Sequence, residues 1–178
     1  MTAQFSDTFI YKDHEYALIG IKGTELFDPN LLGITPNGMS TACYRGYYSV
    51  YKMADTGILL NKLTLIGRSY KLIPIDGVMP KTNDDETVYR NLKHVVPFTG
   101  IIRLAKDFIE DYYIHMGFQK ATAYKKVLDI KFENGKIVEI KDRSDDMEKK
   151  RGAFKKHYDS SGIEERIEEA FSLDLEWE

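Results

Sequence analysis

The chain has 178 residues, 43% hydrophobic and 30% charged, with 25 Lys and Arg against 28 Asp and Glu for a net charge of −3. That mixture suits one apolar core with an appendage and excludes global disorder, and its acidic balance disfavours nonspecific attachment to a polyanion such as nucleic acid. A single cysteine, Cys43, excludes an internal disulfide and the common zinc ribbons; with no basic-then-apolar leader and no run of 18 apolar residues, a reducing, cytoplasmic, non-membrane setting is expected.

In chain order, "TFIYKDHEYALIGIKG" predicts a first hairpin, Thr8 to Tyr11 and Glu15 to Ile21 about a turn at Lys12-Asp13-His14. A loop punctuated by Pro29, Gly33, Pro36 and Asn37-Gly38 then leads to "TACYRGYYSVYK", residues 41–52. Tyr44, Tyr47, Tyr48 and Tyr51 fit a helical stripe, but Thr, Val, Ser and Tyr suit a pleated surface, and Gly46 would weaken a helix by about 1 kcal/mol. Turn chemistry at Asp55-Thr56-Gly57 and the run "ILLNKLTLI" complete a strand pair, 42–53 and 58–66.

On that first strand Arg45, Tyr47 and Tyr51 share one face, and Tyr44, Tyr48 and Val50 the other. An unpaired buried guanidinium costs several kcal/mol, so the Arg45 face is expected to be partly exposed and the Val50 face packed inside. Arg45 beside Tyr47 suits a stacked guanidinium–aromatic contact, and Gly46 a close backbone approach. The plainer alternative is a packed sheet whose tyrosine hydroxyls reach water at its rim. If the exposed trio is an interface, alanine at Arg45 and Tyr47 should weaken partner binding by about 2 kcal/mol and spare the melting temperature.

Residues 67–99 hold three of the five prolines and read as a long irregular excursion with short strands. Within it "NDDET" offers Asp84, Asp85 and Glu86 to a partner or a hard cation. Calcium loops alternate their oxygens and close with a distal acid, so a solvated loop is the simpler reading, and no metal or other cofactor is expected.

Leu104, Phe108, Tyr112 and Met116, spaced by four, predict a helix over 104–116 stopped by Gly117, with Leu104, Phe108, Ile109 and Tyr112 buried against the sheet. Asp111 and His115 would then form an i, i+4 acid–base pair on its water side; no nucleophile stands nearby. "AYKKVLDIKFENGKIVEIKD" is the strongest local signal, a hairpin turning at Asn134-Gly135.

After Arg143, Ser144 reads as an N-cap of a helix with acids in its first turn and Lys149, Lys150, Arg151, Lys155 and Lys156 further on. Ser161 to Glu164 reads as a capping box opening a second helix with Ile163, Ile167, Ala170 and Phe171 on its apolar side. Ile163 to Glu178 carries seven acids and one arginine, so charge favours pairing this helix antiparallel with the basic one.

The expected fold is therefore α+β: an antiparallel sheet, strongly curved or partly closed into a barrel, over residues 1–142 with one inserted helix near 104–116, followed over residues 143–178 by a C-terminal helical pair packing on that body. Phosphate-loop, dinucleotide, HExxH, GxSxG and EF-hand patterns are all lacking. The expected function is a non-catalytic protein-binding module using Arg45, Tyr47, Tyr51, Asp84, Asp85 and Glu86. By analogy with small bacterial proteins of this build, an immunity- or inhibitor-type neutraliser of a toxin or defence enzyme is its specific form. The expected partner is another protein, not nucleic acid or a membrane, and self-association is left open. The alternatives are a small-ligand-binding, β-barrel-like protein and an enzyme using Asp111 and His115 with Tyr112 or Tyr113.

Overall fold

Lys12 and Asp13, both at positive φ (49° and 60°), make the two-residue turn that folds β1 (Thr8–Tyr11) onto β2 (His14–Gly23). Asn134 and Gly135 (49° and 77°) do the same between β9 (Tyr124–Glu133) and β10 (Lys136–Asp142), as their sequence predicts. Between these lie β3 (Tyr47–Ala54), β4 (Gly57–Ile66), β5 (Lys81–Thr82), β6 (Glu86–Tyr89), β7 (His94–Val96) and β8 (Gly100–Phe108), followed at the C-terminal side by helices α1 (Ser144–Ser160) and α2 (Ile163–Phe171). The computed structural model describes residues 2–38, 40–67, 70–160 and 162–175, without the side chains of residues 155, 158–160, 163, 165 and 168. Ser161 of the expected capping box, and the side chains of Ile163 and Lys155, lie outside that description.

The described strands form one sheet in the order β10-β9-β8-β2-β1-β3-β4-β6-β5, with β7 also on β4, and the path does not close on itself. It is mixed, because β1 pairs with β3 in parallel, Phe9 beside Tyr51, which corrects the expectation of a purely antiparallel sheet. The inserted helix is also corrected. Residues 100–108 are a central strand, paired on one side with β2 and on the other with β9, and the chain then makes only a 3-10 turn at Glu110–Tyr112. A four-residue spacing is even, so Leu104 and Phe108 satisfy a two-residue period as well as a helical one. Pairing with β2 over residues 100–105 and with β9 along the strand takes up backbone groups that a helix would otherwise have satisfied internally.

One hydrophobic cluster draws on both halves of the sheet, including Phe9, Leu18, Tyr51, Leu60, Ile102 and Phe132, and loop residues Ile34, Ile75 and Phe98 pack into it. A second, smaller cluster lies under α1, where Met147 meets Ala105, Tyr124 and Val127. Helix α1 is held there by Arg151, whose guanidinium donates to the carbonyls of Thr122 (2.9 Å) and Tyr124 (2.7 Å). Ser144 is the helix's first residue rather than its cap: Met147 N–H donates to the Arg143 carbonyl, while the Ser144 hydroxyl donates to Asp142 and accepts from Val127 N–H.

The segment after α2 adds to the sheet. Beyond the short β1, the edge of β2 at Ile21 is unoccupied by a neighbouring strand, and the chain fills it: Ile21 N–H donates to the Leu173 carbonyl (2.7 Å) and Leu175 N–H to the Ile21 carbonyl (3.3 Å). This brings Phe171 and Leu173 beside the turn that precedes β3.

Candidate functional site

The turn before β3 is shaped by Gly46, at φ 76°, where any side chain would overlap the Gly38 carbonyl; the close approach anticipated from sequence is made by the chain's own loop. From that turn Arg45 reaches Asp7, a buried carboxylate that also accepts from Ser49 N–H at 2.7 Å. The guanidinium lies 4.6 Å over the Tyr47 ring and donates through Nε to the Tyr47 carbonyl at 2.8 Å.

The strand starts at Tyr47 rather than at residue 42, so Tyr44 and Arg45 lie in the preceding turn, both exposed, and within β3 the Tyr47, Ser49 and Tyr51 face is the one that packs inside. Tyr51 is 1% exposed, stacked on Phe9 at 4.9 Å in the main core, and Tyr47 packs against the same cluster. Tyr44 is exposed, and Tyr48 and Val50 are half-buried on the opposite face. Arg45 itself is exposed as expected and also pairs with Asp7, 38 residues away in sequence; it is Tyr47 and Tyr51 that depart from the expectation by packing inside. Burial pushes the Tyr47 hydroxyl's pKa up and that of Tyr51 well up, so both act as neutral groups at physiological pH.

Arg45, Tyr47 and Tyr51 nevertheless converge on one cleft of about 480 Å³, floored by Leu18 and Tyr51 and rimmed by Glu25, Asp28 and Phe27. Asp7, Glu25 and Asp28 set three carboxylates against one guanidinium, so the cleft favours a cationic guest. A second cleft of about 540 Å³, lined by Phe5, Cys43, Tyr44, Phe118 and Phe171, is apolar. Arg45 and Leu173 line both, so they form a common wall. Tyr44 and Phe171 contact one another there, ring centres 5.4 Å apart. Cys43 is the small buried apolar residue expected: burial pushes its thiol pKa up, and Sγ donates to the Tyr47 carbonyl at 3.3 Å.

The remaining sequence candidates lie apart. Asp84 and Asp85 are exposed in a loop shaped by the Asn83 side chain, which accepts from Asp85 N–H (2.9 Å) and Glu86 N–H (2.8 Å); Glu86 accepts from the Tyr48 hydroxyl at 3.0 Å. The described residues contain no His, Cys, Asp or Glu cluster fit to hold a metal ion. Asp111 and His115 are both exposed, His115 edge-on to Tyr113, and neither lines the two clefts. Among the described residues no helix is long and apolar enough to cross a membrane. Phe5, Phe118, Phe171 and Leu173 were not singled out as site residues in the sequence because they come from three separate segments; only the apolar content of "AFSLDLEW" hinted at the last two. Comparison with protein-family models, curated proteins and solved structures finds no match.

Proposed function

We propose that the protein is a non-catalytic protein-binding module that takes an extended segment of a partner across Arg45, placing an apolar or aromatic side chain in the Phe171 cleft and a Lys or Arg side chain in the Asp28 cleft. The observation that carries this is the common wall: two open clefts of opposite chemical character meet at Arg45 and Leu173. An aromatic anchor with a charged neighbour is the usual composition of a binding hot spot. A basic partner would also be drawn to a chain of net charge −3, and a neutraliser of a toxin or defence enzyme is the specific form of the reading.

A displayed random peptide library selected on the immobilised protein tests this. Enriched peptides should pair a large apolar residue with Lys or Arg, and their affinity should fall about tenfold or more with Phe171→Ala and with Glu25→Gln combined with Asp28→Asn. Enriched peptides that bind these variants as well as they bind the native protein, or no enrichment at all, would overturn the reading.

A further inference from the structure

Helix α1 and the segment 172–175 enclose a further cleft, of about 560 Å³, on the face of the sheet remote from the main core, and its lining is basic. We infer that this cleft is a binding site for a small phosphate-bearing ligand with an apolar body, such as a nucleotide.

Its floor is a fixed charge network. Asp129, wholly buried, accepts from Arg103 Nε (2.6 Å) and Nη2 (2.8 Å) and from Arg143 Nε (3.1 Å), and Arg143 Nη1 reaches Asp146 at 3.2 Å. The pairing with Asp129 leaves Nη1 of Arg103, which lines the cleft, outside that fork. Two guanidiniums anchored by one carboxylate cannot swing away, so donors are preset before a ligand arrives.

Three lysines complete the wall. Lys149 and Lys150 enter from α1, and Lys120 from the loop before β9, where its ammonium donates to the Glu169 carbonyl. Burial lowers the Lys120 pKa from its ordinary value, a penalty that an adjacent anion relieves. With Arg103 and Arg143 these make five cations against Asp129, Asp146 and Asp174, a net charge of +2 in a chain of −3. Thr122 also lines the cleft, and its buried hydroxyl has no hydrogen-bond partner among the described residues. Ile19, Ala121, Met147 and Leu175 give the remaining lining an apolar character that a bare inorganic anion does not use.

Titration calorimetry with pyrophosphate and with ATP as probes decides the matter. Saturable one-to-one binding is expected, ATP at least as tight as pyrophosphate, weakened about tenfold or more by Lys149→Gln combined with Lys150→Gln, and by Lys120→Gln. Lys149 and Lys150 are exposed, so the first variant keeps the fold, and its circular dichroism spectrum verifies this. The absence of saturable heat with either probe at millimolar concentration would overturn the inference. So would native-like binding by the lysine variants, or a preference for single-stranded DNA over ATP with a steep salt dependence.

Discussion

Arg103 and Asp129 sit opposite each other on neighbouring central strands, and the guanidinium closes on the carboxylate with two bonds of 2.6 and 2.8 Å. Asp129 has no exposed side-chain surface, and Arg103 and Arg143 have little. Removing the carboxylate would leave two cations together beneath α1. Asp129→Asn is expected to lower the unfolding free energy by about 3–5 kcal/mol in urea denaturation, the usual consequence of breaking one side of a buried pair. A loss under about 1 kcal/mol would mean that water reaches the network.

Arg45 has a structural role beside the binding role proposed for it. Alanine there leaves the buried Asp7 carboxylate with Ser49 N–H as its remaining partner, at a cost of about 2–3 kcal/mol. The sequence-based expectation that alanine at Arg45 and Tyr47 spares the melting temperature is therefore reversed. In a double-mutant cycle, Asp7→Asn with Arg45→Ala should show a coupling of about 1 kcal/mol or more; additive losses would place the two residues out of contact.

Acid should loosen the start of α1. The hydrogen bond from Lys126, with those from Ser144, holds the Asp142 carboxyl down to about 2 against an ordinary 3.8. A depressed folded-state value means that its contribution is complete above about pH 4 and is lost as pH falls through about 2. Asp142 is half exposed, so screening keeps the effect small. Helicity at 222 nm should decline between pH 4 and 2 in the native protein, and less steeply in Asp142→Asn.

What the sequence made legible was local chemistry. Asn134-Gly135 carries its turn preference within two residues and turns as read, and the first hairpin turns at Lys12-Asp13, one residue tighter than the Lys12-Asp13-His14 turn expected because His14 already belongs to β2. Residues 100–108 were not legible because a spacing of four serves both periods, and only the unpaired edges of β2 and β9 decide between them. The sidedness of β3 was hidden for a similar reason: Arg45 lies in the turn before the strand, so its need for water or a counter-charge does not decide which face of β3 packs inside, and the parallel pairing of β1 with β3 that brings Asp7 close leaves no local mark. The clefts share this character, since Phe5, Tyr44, Phe118 and Phe171 become neighbours only through long-range pairing.

Gly117 joins the C-terminal segment to the body. It stands at φ 69°, its carbonyl accepts from Gln4 N–H at 2.8 Å, and the next residue's N–H donates to the Ala170 carbonyl at 2.7 Å. A Cβ at this position would overlap the Ala170 carbonyl, and the left-handed backbone alone costs a side-chain-bearing residue about 1–2 kcal/mol. Gly117→Ala is thus expected to release the end of α2 while leaving the strand ladders paired. Phe171 and Leu173 would lose their fixed place at the wall of both clefts, so selected peptides should bind at least about tenfold more weakly, and limited proteolysis should cut within residues 160–175 before the sheet. Hydrogen exchange separates the outcomes: protection retained in β2, β8 and β9 with protection lost in α2 supports the clamp, whereas uniform loss would show that the C-terminal segment is integral to the stability of the sheet.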